Sequence, residues 1–189
     1  MKNILLVNSS PRVGGNSEYI VNALANILKD SNNITVFNMR EHKCNPCLAC
    51  GACQNKDYQL CVQKDDITEL LPIIDQADAV LIATPIYNQQ INSQAKLFIE
   101  RWYPFFNFSM KNWSNSSKQG KKGALVCCFW GSPMDVTQKY AEWTVSGFSQ
   151  IGAESYRTEL FNGIPERGQI AEHKEYIERI YNLAKWLAE

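Results

Sequence analysis

Residues 79–83, Ala-Val-Leu-Ile-Ala, are apolar without a break. A strand with one wet face alternates with period two, so an uninterrupted apolar strand must be covered on both sides. That requirement points to a parallel sheet sandwiched between helices, with a helical crossover joining successive strands. Other stretches fit the same plan. Ile4-Leu5-Leu6-Val7 and residues 123–130 are further apolar runs, residues 34–39 alternate, and residues 154–161 supply a fifth strand. Between them, helical spacing of apolar residues predicts helices over residues 17–29, around Ile67, Leu70, Leu71 and Ile74, and over 93–106, 136–151 and 165–189. Pro72 should kink or split the second of these, whereas Pro165 suits a helix start. Tyr140, Trp143, Phe148 and Ile151 are expected on the apolar side of the fourth.

Five strands alternating with five helices, without repeat or linker, predict one α/β domain over residues 1–189: a flavodoxin-like three-layer sandwich with strand order 2-1-3-4-5. A chain of 189 residues is long enough for one sizeable core. Nineteen basic residues balance nineteen acidic ones, so no long-range field favours nucleic acid or an anionic membrane, and small specific ligands are expected instead. The amino-terminal apolar run is too short for a signal-peptide core and no run is long enough to span a bilayer, which sets the expectation of a cytoplasmic protein. Seven cysteines in that compartment read as thiols, metal ligands or redox groups rather than disulfides.

The first strand runs into Ser9-Ser10-Pro11-Arg12-Val13-Gly14-Gly15-Asn16-Ser17 and then a helix. Unpaired amides of a first helical turn, aided by the macrodipole, form an anion seat. Ser9, Ser10, Asn16 and Ser17 add donors, Arg12 a charged fork, and Gly14 and Gly15 a close backbone approach. The same stretch also reads as an ordinary loop capped by Asn16 or Ser17.

Five thiols fall within residues 44–61, as Cys44-Asn-Pro-Cys47-Leu-Ala-Cys50-Gly-Ala-Cys53 and then Cys61. Three cysteines repeating every third residue, with a fourth downstream, resemble iron-sulfur ligation more than a zinc ribbon, which uses two separated pairs. Cys47, Cys50, Cys53 and Cys61 are the natural four, with Cys44 a spare or substitute. Metal-free loop thiols, a zinc site or a redox pair remain open readings.

The loop after the central strand, Thr84-Pro85-Ile86-Tyr87-Asn88-Gln89-Gln90, should face the same ligand as the first loop, and its aromatic and amides suit a flat heteroaromatic ring. An ordinary loop with a packed Tyr is the alternative. Asp65 or Asp66 should cap the following helix rather than act in catalysis. Lys96, Glu100 and Arg101 flank an apolar helix face, and Phe105, Phe106, Phe108 and Trp113 read as lid, dimer contact or core. Residues 111–122 read as a surface loop with solvated lysines. Cys127 and Cys128 should point to opposite sheet faces and pack in the core. His42 and His173 have no evident partner.

SSPRVGGNS, PCLACGACQNKDYQLCVQKDD and TPIYNQQINSQAKLFIERW, in this order, resemble the NAD(P)H-dependent FMN reductase family, and most closely its iron-sulfur flavoprotein branch. The resemblance implies that Ser9, Arg12, Asn16 and Ser17 hold the FMN phosphate, that Pro85, Ile86, Tyr87 and Asn88 border the isoalloxazine, and that the loop near Trp130 and Gly131 closes the site. It implies a [4Fe-4S] cluster on Cys47, Cys50, Cys53 and Cys61. The activity implied is transfer of electrons from NAD(P)H, or from a ferredoxin-like donor, through FMN to a quinone, nitro compound, flavin or protein acceptor, with no acid or base residue required. A homodimer or dimer of dimers is expected. Two rival classes are an electron carrier without nicotinamide turnover and a metal-binding or thiol-sensing module.

Overall fold

The computed structural model describes residues 1–55, 60–107 and 114–189. Its elements are β1 (Asn3–Asn8), α1 (Asn16–Leu28), β2 (Asn33–Asn38), α2 (Asp66–Gln76), β3 (Ala79–Tyr87), β4 (Gln90–Ile91), α3 (Ser93–Glu100), β5 (Lys121–Cys128), α4 (Met134–Ser146), β6 (Ala153–Phe161) and α5 (Lys174–Ala188). The sheet runs β2-β1-β3-β5-β6, every pair parallel, with β4 hanging from β3. With β4 set aside this is the 2-1-3-4-5 order of a flavodoxin-like fold.

The apolar runs are divided between two cores. Leu5, Val7, Val80, Ile82, Leu125 and Cys127 face α2, α3 and α4, whereas Ile4, Leu6, Ala79, Leu81, Val126 and Cys128 face α1 and α5. Successive side chains on a strand alternate sides, so adjacent Cys127 and Cys128 land in opposite cores, as expected. Each buried Val, Leu or Ile contributes on the order of 1.5–3 kcal/mol.

Several boundaries depart from the sequence reading. Pro72 does not split α2, which runs as one helix with Pro72 on its exposed face; there the carbonyl left without a donor can turn to water. α3 stops at Glu100, because Arg101 turns inward and Pro104 opens a separate short turn, Tyr103–Phe105. α4 buries Thr137, Ala141 and Val145, which leaves Trp143 on the opposite side, 75% exposed, while Phe148 and Ile151 belong to a separate turn, Gly147–Ile151. α5 begins only at Lys174, since Gly163 and Gly168 adopt positive φ and break the preceding segment. Residues 84–90 are not an open loop: β3 continues to Tyr87, and Asn88 (φ 48°) and Gln89 (φ 65°) form the two-residue turn to β4. Two left-handed residues in succession are the type I′ geometry that matches strand twist.

Charged and aromatic side chains depart as well. Lys118 pairs with Asp78 at 2.7 Å. Lys121 is buried, its Nζ donating to Ile74 O (2.9 Å) and Ser116 Oγ (2.7 Å), and burial pulls its pKa down to about 8. Lys111 lies outside the described residues. Phe105 is core, Phe106 is half-buried and stacks on Tyr103, and Phe108 and Trp113 lie outside the described residues. His42 does have partners, Asp66 Oδ2 at 2.8 Å and the Phe37 ring at 4.2 Å, and His173 stacks on Tyr176. Among the described residues no helix is long and apolar enough to cross a membrane.

Candidate functional site

At the carboxyl edge of the sheet, β1 ends in buried Asn8, whose Oδ1 accepts from Ser10 N at 3.1 Å. Ser10 Oγ in turn accepts from Arg12 N at 3.2 Å, and Gly15 N reaches back to Arg12 O at 3.4 Å. These bonds curl residues 9–15 over the amino end of α1. Gly15 occupies the N-cap with no side-chain cap, so the first-turn amides of α1 are left for a ligand. A Cβ at Gly15 would meet Arg12 O at 3.2 Å and Ser10 Oγ at 3.4 Å, so a side chain there would push the cradle open by a few tenths of an ångström.

The cradle opens into a cavity of about 260 Å³. Of the residues predicted from sequence, Ser10, Arg12, Asn16, Ser17, Pro85, Ile86 and Tyr87 line it. Ser9, Asn88 and Gly131 do not. Ser9 is buried and donates its hydroxyl to Ala83 O (3.1 Å), so it ties β1 to β3, while Asn88 and Gly131 lie in the turns beyond. Asn16 lines the cavity, but its side chain is already engaged: Nδ2 donates to Ile164 O and Glu166 O, each at 2.9 Å, and Oδ1 accepts from Ile170 N at 3.1 Å. It therefore acts as a strut for the far wall, Ile164 to Arg167, which the sequence reading missed. Also missed was Asn92, a buried side chain that caps α3 through Ala95 N (3.0 Å) and donates to Ser9 O (2.7 Å), locking the β3–β4 hairpin against the first loop. Cys128 lines the cavity too; burial holds its thiol up at about 12 despite a hydrogen bond with Ser17, so it is neutral and no nucleophile.

The chemistry of these donors, first-turn amides, the Ser10 and Ser17 hydroxyls and the Arg12 guanidinium, fits a phosphate monoester. Pro85, Ile86, Tyr87 and the exposed Trp130 provide flat apolar surface beside it.

A second constellation hangs between β2 and α2. Cys47, Cys50, Cys53 and Cys61 line one small cavity, with Ala49 (φ 51°) and Gly51 (φ 68°) in left-handed conformations that wrap the loop. Cys47 Sγ accepts from Ala49 N at 3.4 Å. Burial raises the Cys53 pKa, and charge on Cys61, Cys47 and Cys50 raises it further, so the four sulfurs are electrostatic neighbours. Cys44 stands apart: its thiol donates to Met39 O, and burial together with Asp65 and Asp66 pushes it up to about 11. Among the described residues no three Cys, His, Asp or Glu converge on a single metal ion. Four soft sulfurs around one cavity do fit a polynuclear cluster held by one thiolate per iron.

The floor of this cavity is Arg101, 1% exposed and paired with fully buried Asp65 at 2.6 Å. Burial disfavours the Asp65 carboxylate, but hydrogen bonds from Arg101, Asn45 N and Thr68 outweigh it and hold its pKa down at about 2. Asp65 is also the N-cap of α2, as expected. Arg101, read from the sequence as a flanking charge, is instead the bridge between α2, α3 and the cysteine loop.

A family model described as NADPH-dependent FMN reductase matches residues 2–153. The chain is similar to an iron-sulfur flavoprotein of Archaeoglobus fulgidus, 35% identical over 97 residues that cover 51% of this chain and 43% of the relative. It is also similar to an iron-sulfur flavoprotein of Methanosarcina thermophila, 34% identical over 110 residues, 56% of each. The matched region thus spans about half the length of these relatives. In fold it resembles the NAD(P)H:quinone oxidoreductase of Methanothermobacter marburgensis, with TM-score 0.75, 13% identity, and 100% of this chain and 98% of that one covered. It likewise resembles an FMN-dependent NADH-azoreductase of Bacillus anthracis in complex with FMN, with TM-score 0.71, 17% identity, and 98% and 99% covered.

Proposed function

Because the chain belongs to the NADPH-dependent FMN reductase family, we propose that it is an FMN-dependent NAD(P)H oxidoreductase whose cofactor occupies the cavity above α1. The observation that carries this reading is the uncapped first turn of α1 facing that cavity, with Arg12 beside it. When bound, FMN supplies both hydride and single-electron chemistry. The chain's own residues bind and orient. First-turn amides, Ser10, Ser17 and Arg12 hold the phosphate, and Asn16 keeps residues 164–167 against it. The hairpin from Pro85 to Ile91 presents Ile86 and Tyr87 as a wall that would shield a bound flavin from water. No side chain is assigned as acid or base, and a quinone, nitro compound, flavin or protein serves as acceptor. Exposed Trp130 and Trp143 support assembly as a homodimer, which light scattering checks.

The test is FMN titration followed by anaerobic addition of NADH or NADPH. FMN binding with bleaching of the flavin absorbance is the expected outcome. Binding without bleaching would favour the electron carrier fed by a ferredoxin-like donor. Failure to bind FMN would overturn the reading.

A second assignment rests on its own observation, the four thiols around one cavity. Cys47, Cys50, Cys53 and Cys61 hold a [4Fe-4S] cluster, which exchanges electrons singly. Iron and sulfide in cluster stoichiometry after anaerobic reconstitution, lost in Cys50→Ala, is the expected result.

A further inference from the structure

The buried guanidinium under the thiol cavity has a donor left over. Arg has five N–H donors in a fixed fork. On Arg101, Nη1 donates to Asn45 O (2.8 Å) and Asp65 Oδ2 (2.6 Å), and Nη2 to Asp65 Oδ1 (3.0 Å) and Thr68 Oγ1 (2.7 Å). Those four bonds fix the plane of the fork. The fifth donor, Nε–H, is buried without a partner. An orphaned donor on a charged group carries an uncompensated desolvation penalty, so its position calls for an acceptor. Arg101 and Cys61 line the same cavity, which puts a thiol sulfur beside the buried guanidinium. The Asp65 carboxylate is saturated by Arg101, Thr68 and Asn45 N and offers nothing more.

We propose that Arg101 is a positioning residue for the cluster, its Nε–H donating to the Cys61 thiolate sulfur and thereby raising the cluster's reduction potential. The inference rests on the [4Fe-4S] assignment above. Its physical basis is that one-electron reduction adds a negative charge to the cluster, and a hydrogen bond to a ligand sulfur stabilises that charge. Because the bond is fixed by Asp65, Asn45 and Thr68 from the opposite side, it needs no rearrangement when the cluster changes charge. Lysine at this position keeps a positive charge but has no planar fork, so it cannot satisfy Asp65 and Cys61 in one geometry.

The experiment uses the full chain loaded with FMN, iron and sulfide, and produced with arginine carrying ¹⁵N in the guanidinium. Pulsed EPR of the dithionite-reduced wild type should show a ¹⁵N coupling to the cluster, absent from Arg101→Lys. A redox titration of Arg101→Lys should place its potential lower by at least a tenfold change in the one-electron equilibrium, ~59 mV. An unchanged potential in a fully loaded Arg101→Lys, or a wild-type cluster without ¹⁵N coupling, overturns the proposal. If Arg101→Lys fails to hold iron, the wild-type coupling alone decides, its presence supporting and its absence refuting. Wild type that binds FMN but takes up no iron and sulfide overturns the cluster assignment itself, an outcome distinct from a loaded cluster indifferent to Arg101.

Discussion

The Asp65 carboxylate accepts at both oxygens: Oδ1 from Thr68 N (3.0 Å), Thr68 Oγ1 (2.9 Å) and Arg101 Nη2 (3.0 Å), and Oδ2 from Asn45 N (2.9 Å) and Arg101 Nη1 (2.6 Å). These bonds hold its pKa at about 2 in the folded chain, against ~3.9 when unfolded. A depressed carboxylate pKa contributes stability that is fully present above the unfolded value and is lost as pH falls through the folded one. Asp65 should therefore account for roughly 2 kcal/mol that disappears between about pH 4 and pH 2. Asp75 and Asp78 are also depressed, so wild type alone does not isolate the effect. Asp65→Asn does: it leaves the Arg101 charge buried and half-paired, which should cost ~3–5 kcal/mol at neutral pH. Its urea midpoint should also fall less steeply than wild type between pH 4 and 2. Parallel slopes in the two proteins would show that the carboxylate is not the titrating group.

At the scale of elements, the β3–β4 hairpin is where local strain meets the site. Asn88 tolerates a left-handed conformation through its short polar side chain, but Gln89 at φ 65° has no such excuse. Asn-Gly is the preferred pair for this turn. Gln89→Gly should therefore raise Tm by ~1–2 °C, relief of left-handed strain outweighing the added chain entropy, and Gln89→Val should lower it by a similar or larger amount. Calorimetry on the three proteins gives the order directly. The turn also shows what a sequence hides. Strands 79–83 and 123–128 were legible because a run buried on both faces tolerates no polar residue, and α1 because its apolar spacing ends at Asp30. Helix ends were not, since residues 101–106, 147–151 and 169–172 keep an apolar spacing while folding as short separate turns. Arg101 was illegible for another reason: its partner Asp65 lies 36 residues away and a buried ion pair leaves no periodicity. The phosphate cradle could be read from its hydroxyls and glycines, but its far wall reaches Asn16 from 148 residues away.

For the whole molecule, the sheet holds the two constellations apart while hanging both from the carboxyl ends of its strands. The cradle grows from β1 and α1, with a wall added by residues 164–167, and the cysteine loop leaves β2 and packs through Cys44, Leu60 and Cys61 on the α2–α4 side. The two cavities share no lining residue. Binding free energies at sites without shared partners add to within a few tenths of a kcal/mol. Cys50→Ala, which removes a thiol exposed on the loop and buries nothing new, should therefore abolish iron uptake yet leave the FMN Kd within about twofold of wild type. Arg12→Ala should do the reverse. Losing a charge-assisted bond to phosphate should weaken FMN by about ten- to 100-fold, while iron and sulfide content stay at the wild-type level. Flavin fluorescence titration and iron assay on both single variants and on the double variant close the cycle. If Cys50→Ala weakens FMN tenfold, the sites are coupled through the path the structure offers, from the α2–α3 bridge at Arg101 along α3 to Asn92, whose side chain holds Ser9 in place. If the effects add, the fold is a rigid frame that lets each site be lost or gained without the other.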